Sequence, residues 1–383
     1  MYRALKKDWK GKLKVQQVKN PKLYTSMKWI LILLIILLAL VILAFVVVFI
    51  VFPLVFMNSI GVQRFFVFWN IDVPKNPVFQ NPKQYGFYGI SNFYISSEKY
   101  INSSELISLG AYWVPNEKYK DSNETMDEIL AKNEFPVVLY NHGVASTRIL
   151  QVDYGYATLR KMFHVIAIDY RDFGDSTPAE LTEEGVVLDV VHTYNLMKTK
   201  TQADIYIWGH SLGGGISTHA VKWLKKHQNE IPAGLIIESS FTCFQDEVYA
   251  FPLGKVFSWL PWFEWCVIDP LHRNGFIFNT SSNAEDADCP IMIFHAEDDN
   301  VIPFSLGEKN YHQIKSTRKP RQGEVFFYPF AASKRYQHIG CLQDPDAPSY
   351  ILQFIETCTT WTRTYDSLHS NHSDSSMVFQ NVK

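Results

Sequence analysis

Residues 29–56 run the length of a membrane crossing without one charged side chain, and nothing else in the chain constrains its fold so strongly. A bilayer-spanning helix needs roughly 20 apolar residues, so this run is long enough to cross with tilt to spare. A buried core helix of that length would keep a polar face, and none is present. A cleaved signal peptide would carry an apolar core of roughly 7–15 residues behind a much shorter leader. The expectation is therefore a single transmembrane helix over 29–56 acting as a signal anchor. Ahead of it stand Arg3, Lys6, Lys7, Lys10, Lys12, Lys14, Lys19, Lys22 and Lys28, opposed by Asp8 alone. Lys and Arg stay on the cytoplasmic side during insertion. Residues 1–28 are thus expected to form a basic cytosolic arm, with everything past 57 lumenal or extracellular. Two weaker signs agree. Asn-x-Ser/Thr acceptors occur at Asn102, Asn123, Asn279 and Asn371, all beyond the span. The five cysteines (Cys243, Cys266, Cys289, Cys341, Cys358) also lie beyond it, where an oxidising compartment would permit disulfides. Five is odd, so at least one thiol stays unpaired within a monomer.

The rest of the chain has the makings of one large globular domain. Of 383 residues, 47% are apolar and 15% aromatic, enough for a sizeable core after the span is set aside. A net charge of −2 offers nothing to a polyanion, so nucleic acid is not an expected partner. Residues 57–84 read as a juxtamembrane linker. Phe65, Phe66, Phe68 and Trp69 within it suit a membrane–water interface, or else pack beneath the domain that follows. From 85 to 363, short Val- and Ile-rich runs (87–95, 106–114, 135–140, 164–169, 204–208, 234–237, 290–295 and 324–328) alternate with helix-length segments (149–161, 183–198, 215–227 and 305–314). That alternation implies an α/β architecture, a mostly parallel sheet with helices on both faces. Residues 241–288 break the rhythm and read as a cap inserted over one end of the sheet. Residues 364–383 are polar and expected to be disordered.

The chemistry centres on Gly209-His210-Ser211-Leu212-Gly213, directly after an apolar strand and before a helix. Such a turn strains the serine backbone and lifts Oγ clear of the sheet, while the helix N-terminus favours developing negative charge. A serine hydroxyl is a poor nucleophile until a base takes its proton, and the base needs an orienting carboxylate. In this arrangement the partners follow in the order Ser, acid, His. Past the next-to-last strand stand Asp298 and Asp299. The spacing to Pro303 favours Asp299, with Asp298 as the alternative. Past the last strand stands His338; His312 falls in a surface helix, and His369 and His372 in the polar tail. His142, His210 and His295 abut motif turns and read as structural hydrogen-bonders. The oxyanion of an acyl-transfer intermediate needs backbone donors, expected from Leu212 and, in the turn Asn141-His142-Gly143-Val144, from Val144. Residues 170–176 read as an ion-paired structural turn. No Cys-x-x-Cys pair, His-Glu-x-x-His or phosphate-binding glycine loop occurs, so no cofactor, metal or nucleotide is expected.

The cap holds Phe251, Phe257, Trp259, Trp262, Phe263 and Trp265. They suggest an acyl-chain tunnel or a face that dips into a membrane, or simply packing on the domain. Here a resemblance becomes specific. Residues 168–176, 205–215, 238–247, 263–271, 289–307 and 335–340, in this order behind a single span, are similar to the membrane-anchored monoacylglycerol and lysophosphatidylserine lipases of the α/β-hydrolase superfamily. The resemblance implies the α/β-hydrolase fold, a Ser211–Asp299–His338 triad and hydrolysis of single-chain glycerolipids, so lipid and membrane are the expected partners. It also implies an endoplasmic-reticulum anchor with the catalytic domain in the lumen; the alternative is the plasma membrane with the domain outside. One departure stands out. The family usually has His-Gly-Asn-Ala-Gly at the oxyanion turn, where this chain has His142-Gly143-Val144-Ala145-Ser146, which bears on the pocket more than on reaction type. A phosphoserine-type head group would need cations, and Arg148, Lys334 and Arg335 are candidates. Two other readings compete with this one. A membrane-anchored serine peptidase would be expected to carry a large propeller domain, for which the chain has no room. A catalytically dead binding module would be expected to have lost one of the three residues.

Overall fold

The computed structural model describes residues 3–7, 13–17, 21–150 and 155–377. The chain divides into two compact units, Met1–Ser59 and Ile60–Lys383.

In the first unit, strands β1 (Arg3–Lys7) and β2 (Leu13–Gln17) pair antiparallel, with Arg3 opposite Gln17. Helix α1 (Pro21–Val46) continues through a π-helical turn at Val47–Val51 into α2 (Phe52–Asn58). The widened turn has a local cause. Pro53 in the first turn of α2 lacks an N–H, and its ring would meet the carbonyl of the preceding turn in a regular helix. Tyr24–Asn58 forms a continuous 35-residue helix, long and apolar enough to cross a membrane, and its most apolar stretch is not buried. At about 1.5 Å per residue it exceeds the roughly 30 Å hydrocarbon core.

The second unit is built on eight strands. β3 (Ser91–Glu98), β4 (Leu106–Val114), β5 (Val137–Asn141), β6 (His164–Ile168), β7 (Ile205–His210), β8 (Gly234–Glu238), β9 (Ile291–Ala296) and β10 (Val325–Phe330) stand in the spatial order β10-β9-β8-β7-β5-β6-β4-β3. Only the β3–β4 and β4–β6 pairs are antiparallel. This is the mostly parallel α/β sheet that the alternation predicts. The five strands β5 to β9 are buried along their whole length, which explains their unbroken apolar runs. Side chains alternate between faces. Val138, Tyr140, Tyr206, Trp208, Met292 and Phe294 share one core with Tyr156 and Leu159 of α5 (Gly155–Leu159) and with Ile351 and Phe354 of α13 (Ala347–Met377). Helices α6 (Glu183–Lys200) and α7 (Leu212–Gln228) begin well capped or well placed: Thr182 accepts from the Gly185 N–H at 3.0 Å, and α7 starts at the strained Ser211.

Three expectations differ from the structure. The helix expected over 149–161 is realised only as α5, residues 151–154 lying outside the described residues. The segment expected as linker opens with helix α3 (Ile60–Phe68). Val67 and Phe68 are buried there, Phe68 edge-on to Phe276 and Phe278, while Phe65, Phe66 and Trp69 stay exposed. Polar contacts anchor it too: the Asn274 side-chain amide donates to Gln63 at 2.6 Å, and Arg64 pairs with Glu180. The last helix, α13, continues to Met377 through residues expected to be disordered.

Candidate active site

The strand order places the site. β5 and β7 are neighbours although β6 lies between them in sequence, so the chain leaves their C-terminal ends in opposite directions and opens a crevice there. Ser211 follows β7, and the turn 142–146 follows β5. Ser211 has φ 58 and ψ −125, a conformation costing on the order of 1–3 kcal/mol unless its surroundings enforce it. They do. The Ser211 N–H donates to the Glu238 carbonyl at 2.9 Å, and its carbonyl accepts from Ser240 Oγ at 2.8 Å. At Gly209 a Cβ would stand 2.1 Å from the Gly213 carbonyl oxygen, so only glycine permits the turn. At Gly143 a Cβ would stand 2.7 Å from Ser211 Cβ, so the turn beyond β5 presses directly on the serine.

Asp299 settles between β9 and α12 (Phe304–Thr317) with its side chain wholly buried. Its Oδ1 accepts from the Val301 and Ile302 N–H groups, each at 2.9 Å. Its Oδ2 lies 2.9 Å from His338 Nδ1 and 3.4 Å from His295 Nε2. Burial pushes this carboxyl up, but the bonds from His295 and His338 outweigh it and hold it well below the ordinary carboxylate range. Since the carboxylate accepts at Nδ1, that nitrogen carries the proton, leaving the lone pair on His338 Nε2. The alternative acid is placed elsewhere: Asp298 accepts from the Gln337 N–H at 3.1 Å and so holds the loop beneath His338. His338 is also fixed from behind, because His210 Nε2 donates to its carbonyl at 2.9 Å and the two rings lie 4.8 Å apart. Burial beside His338 pushes His210 down to about 3, so it stays neutral. Ser211 and His338 form no direct hydrogen bond here; such contacts are often long before substrate arrives.

Leu212 opens α7, where its N–H has no intrahelical acceptor. Neither it nor the Val144 N–H meets an acceptor among the described residues. Both are free to receive an oxyanion. The next amide, Ala145, donates to the Trp69 carbonyl at 3.0 Å, and the Asn70 amide donates to Asp172 Oδ2 at 2.8 Å. The residues after α3 therefore hold the turn that carries Val144. Sequence reasoning missed this, because a backbone carbonyl in a linker has no side-chain signature.

Several expected residues fall outside this constellation. His142 is buried and pushed down to about 4, its Nδ1 2.7 Å from the Gly143 carbonyl. His312 is exposed on α12. Arg148, a candidate for the head group, is fully buried instead: it pairs with Asp169, reaches Asp175 at 2.8 Å and stacks on Phe79. No ligand can reach it without breaking the core. Lys334 pairs with Asp344, whereas Arg335 is exposed. The 170–176 turn is ion-paired as read, Arg171 bonding Asp189 at 2.7 Å and the Lys99 and Glu98 carbonyls. Of the glycosylation sequons, Asn102 and Asn123 are exposed. Asn279 is half-buried, its side chain capping α11 (Thr280–Ala284) through the Ser282 N–H, and the Asn371 side chain lies outside the described residues. All five cysteines are free thiols. Among the described residues no group of three or more His, Cys, Asp or Glu is placed to hold a metal ion.

The chain is similar to known proteins in sequence and in fold. A family model described as alpha/beta hydrolase fold matches residues 136–252. The rat lysophosphatidylserine lipase ABHD12 is 32% identical over 314 residues, covering 80% of this chain and 77% of that protein. Its counterpart in Xenopus tropicalis is 33% identical over 321 residues, covering 80% of each. Among solved structures, an alpha-beta hydrolase from Vibrio vulnificus superposes with a TM-score of 0.51 at 15% identity, over 74% of this chain and 87% of that one; at that identity it speaks to the fold alone.

Proposed function

The chain belongs to the α/β-hydrolase family of the ABHD12 lysophosphatidylserine lipases, and from this premise we propose that it is a membrane-anchored serine hydrolase of single-chain glycerolipids. Lysophospholipids such as lysophosphatidylserine, and monoacylglycerols, are the substrate class. The observation that carries the reading is the 2.9 Å bond from His338 Nδ1 to a wholly buried Asp299, beside a serine at φ 58.

In the proposed reaction Ser211 Oγ attacks the ester carbonyl and passes its proton to His338 Nε2. Asp299 keeps the ring oriented and stabilises the imidazolium. The tetrahedral oxyanion takes hydrogen bonds from the Leu212 and Val144 N–H groups. Collapse transfers the proton from His338 to the leaving glycerol oxygen and leaves an acyl-Ser211 ester. Water, deprotonated by His338, then releases the fatty acid and restores the serine. The helix Tyr24–Asn58 serves as the anchor, with the basic arm cytosolic and the catalytic domain in the endoplasmic-reticulum lumen; the plasma membrane with the domain outside is the alternative. Exposed Asn102 and Asn123 are the acceptors best placed for glycans.

Full-length protein in membranes, treated with a fluorophosphonate probe beside S211A, tests the reading. Labelling lost only in S211A, with release of fatty acid from lysophosphatidylserine or monoacylglycerol lost in parallel, is the expected result. A folded wild type that neither labels nor cleaves would sink it.

A further inference from the structure

Buried carboxyl groups in the second unit are satisfied almost without exception. Asp169 and Asp189 have arginines, Glu183 has His219 and the N–H groups of Ile277 and Phe278, and Asp344 has Lys334 and the Asp346 N–H. Glu238 keeps one bond, from Trp208 Nε1 at 2.9 Å. Its Oε1 is buried without a partner among the described residues. Glu247 goes further and has no bond at all among them. It is 9% exposed, its side chain makes no hydrogen bond among the described residues, and Oε2 is completely enclosed.

Its position gives that orphan a meaning. Glu247 lies on α8 (Phe244–Ala250), the first helix of the cap, which follows β8 through residues 239–243. That connection is tied to the nucleophile, since Ser240 Oγ donates to the Ser211 carbonyl. Adjacent Asp246 leaves in another direction and is satisfied by Lys309 and Thr242. The charges acting on Glu247 are instead those of Asp299, the triad acid, and Lys255. An enclosed carboxyl oxygen without a partner is costly, and a ligand that donates to it would offset that cost.

We propose that Glu247 is a specificity-determining residue of the acyl-ester site, accepting a hydrogen bond from a proton-donating group, ammonium or hydroxyl, on the polar head of the lipid. The inference rests on the hydrolase reading above and adds what the cap recognises. Burial, with the charge of Asp299 adding to it, pushes the carboxyl up to about 8 and so favours its neutral form near physiological pH. A bound ammonium would favour its ionised form and form a charge-assisted bond. A hydroxyl needs only an acceptor and can use either form.

The experiment compares three esters of one acyl chain on the full-length protein in membranes: lysophosphatidylserine, with an ammonium; monoacylglycerol, with hydroxyls only; and the methyl ester, with no donor on its alcohol side. Glu247→Leu removes every acceptor, Glu247→Gln keeps one without the charge, and the fluorophosphonate labelling rate reports whether each variant is folded. The Leu variant is expected to lose kcat/KM about tenfold to hundredfold more on a donor-bearing lipid than on the methyl ester. If Gln restores most of the loss, the recognised donor is a hydroxyl; if Gln is as poor as Leu on lysophosphatidylserine alone, it is the ammonium. A wild type that cleaves both lipids, with Leu affecting all three esters equally, overturns the role of Glu247 and leaves the hydrolase reading standing. A wild type that cleaves neither lipid removes both.

Discussion

Two acids at the C-terminal edge of the sheet have fully buried side chains and face different kinds of partner. Asp169, just past β6, faces the guanidinium of Arg148. Asp299, just past β9, faces His338 and His295 with two backbone amides on its other oxygen. Both side chains are wholly buried. The guanidinium never gives up its proton, so the first pair is permanently neutralised and can only brace the fold. An imidazole changes its charge near neutral pH, so the second pair can store and release a proton beside a strained serine. Asp169 also has an imidazole nearby, His142 Nε2 at 3.5 Å, but burial holds that ring neutral; in the proposed reaction the titratability of the partner separates scaffold from chemistry.

Asp299→Asn strikes the contrast hardest. The amide fills the same space but reverses the hydrogen-bond demand on His338, and kcat should fall by on the order of 10³–10⁴, measured as fatty-acid release per folded molecule. Its melting temperature should move little by comparison. Arg148→Met should do the reverse. It strands Asp169 in the core and should cost about 3–5 kcal/mol of stability, read by denaturant unfolding, while the surviving folded fraction keeps its fluorophosphonate labelling. Adding Asp169→Leu should restore most of that loss, because no uncompensated charge remains. If Arg148→Met instead abolished activity at full stability, the division between bracing and chemistry would be wrong.

Asp298→Asn probes the other candidate acid and should cost less than about tenfold in kcat, because among the described residues Asp298 meets only the Gln337 N–H. A loss as large as that of Asp299→Asn would exchange the two roles. The smallest effect concerns Glu238, whose carboxyl burial pushes up to about 8. Between the unfolded carboxylate value and that figure, the folded chain holds a proton the unfolded chain has released, so stability is lost as pH rises through this range. Glu238→Gln should flatten the decline, because the amide has no proton to release; a parallel pH profile for both proteins would refute the assignment.

The single long apolar run, the strand–turn–helix around Ser211 and the chain order Ser211, Asp299, His338 were legible without coordinates. Each is local or ordinal: length without charge, residues adjacent in sequence, or succession along the chain. Alternating apolar runs likewise announced a parallel sheet, since strands buried on both faces carry unbroken Val and Ile. What distance in space decides was not legible. Arg148 looks like any surface cation until its pairing with Asp169 buries it. The juxtamembrane aromatics divide by helix face, Phe68 inward and Phe65 outward. Asp298 and Asp299 are neighbours in sequence, and only the backbone turn after β9 sends one to Gln337 and the other to His338. The sequence by itself determined the long apolar helix, the sheet and the strand–turn–helix that carries Ser211, because periodicity and short-range sterics are written residue by residue. Tertiary structure alone decided which acid faces the histidine, which carbonyl steadies the oxyanion turn and which carboxyl is left without a partner, because those depend on contacts between segments far apart in the chain.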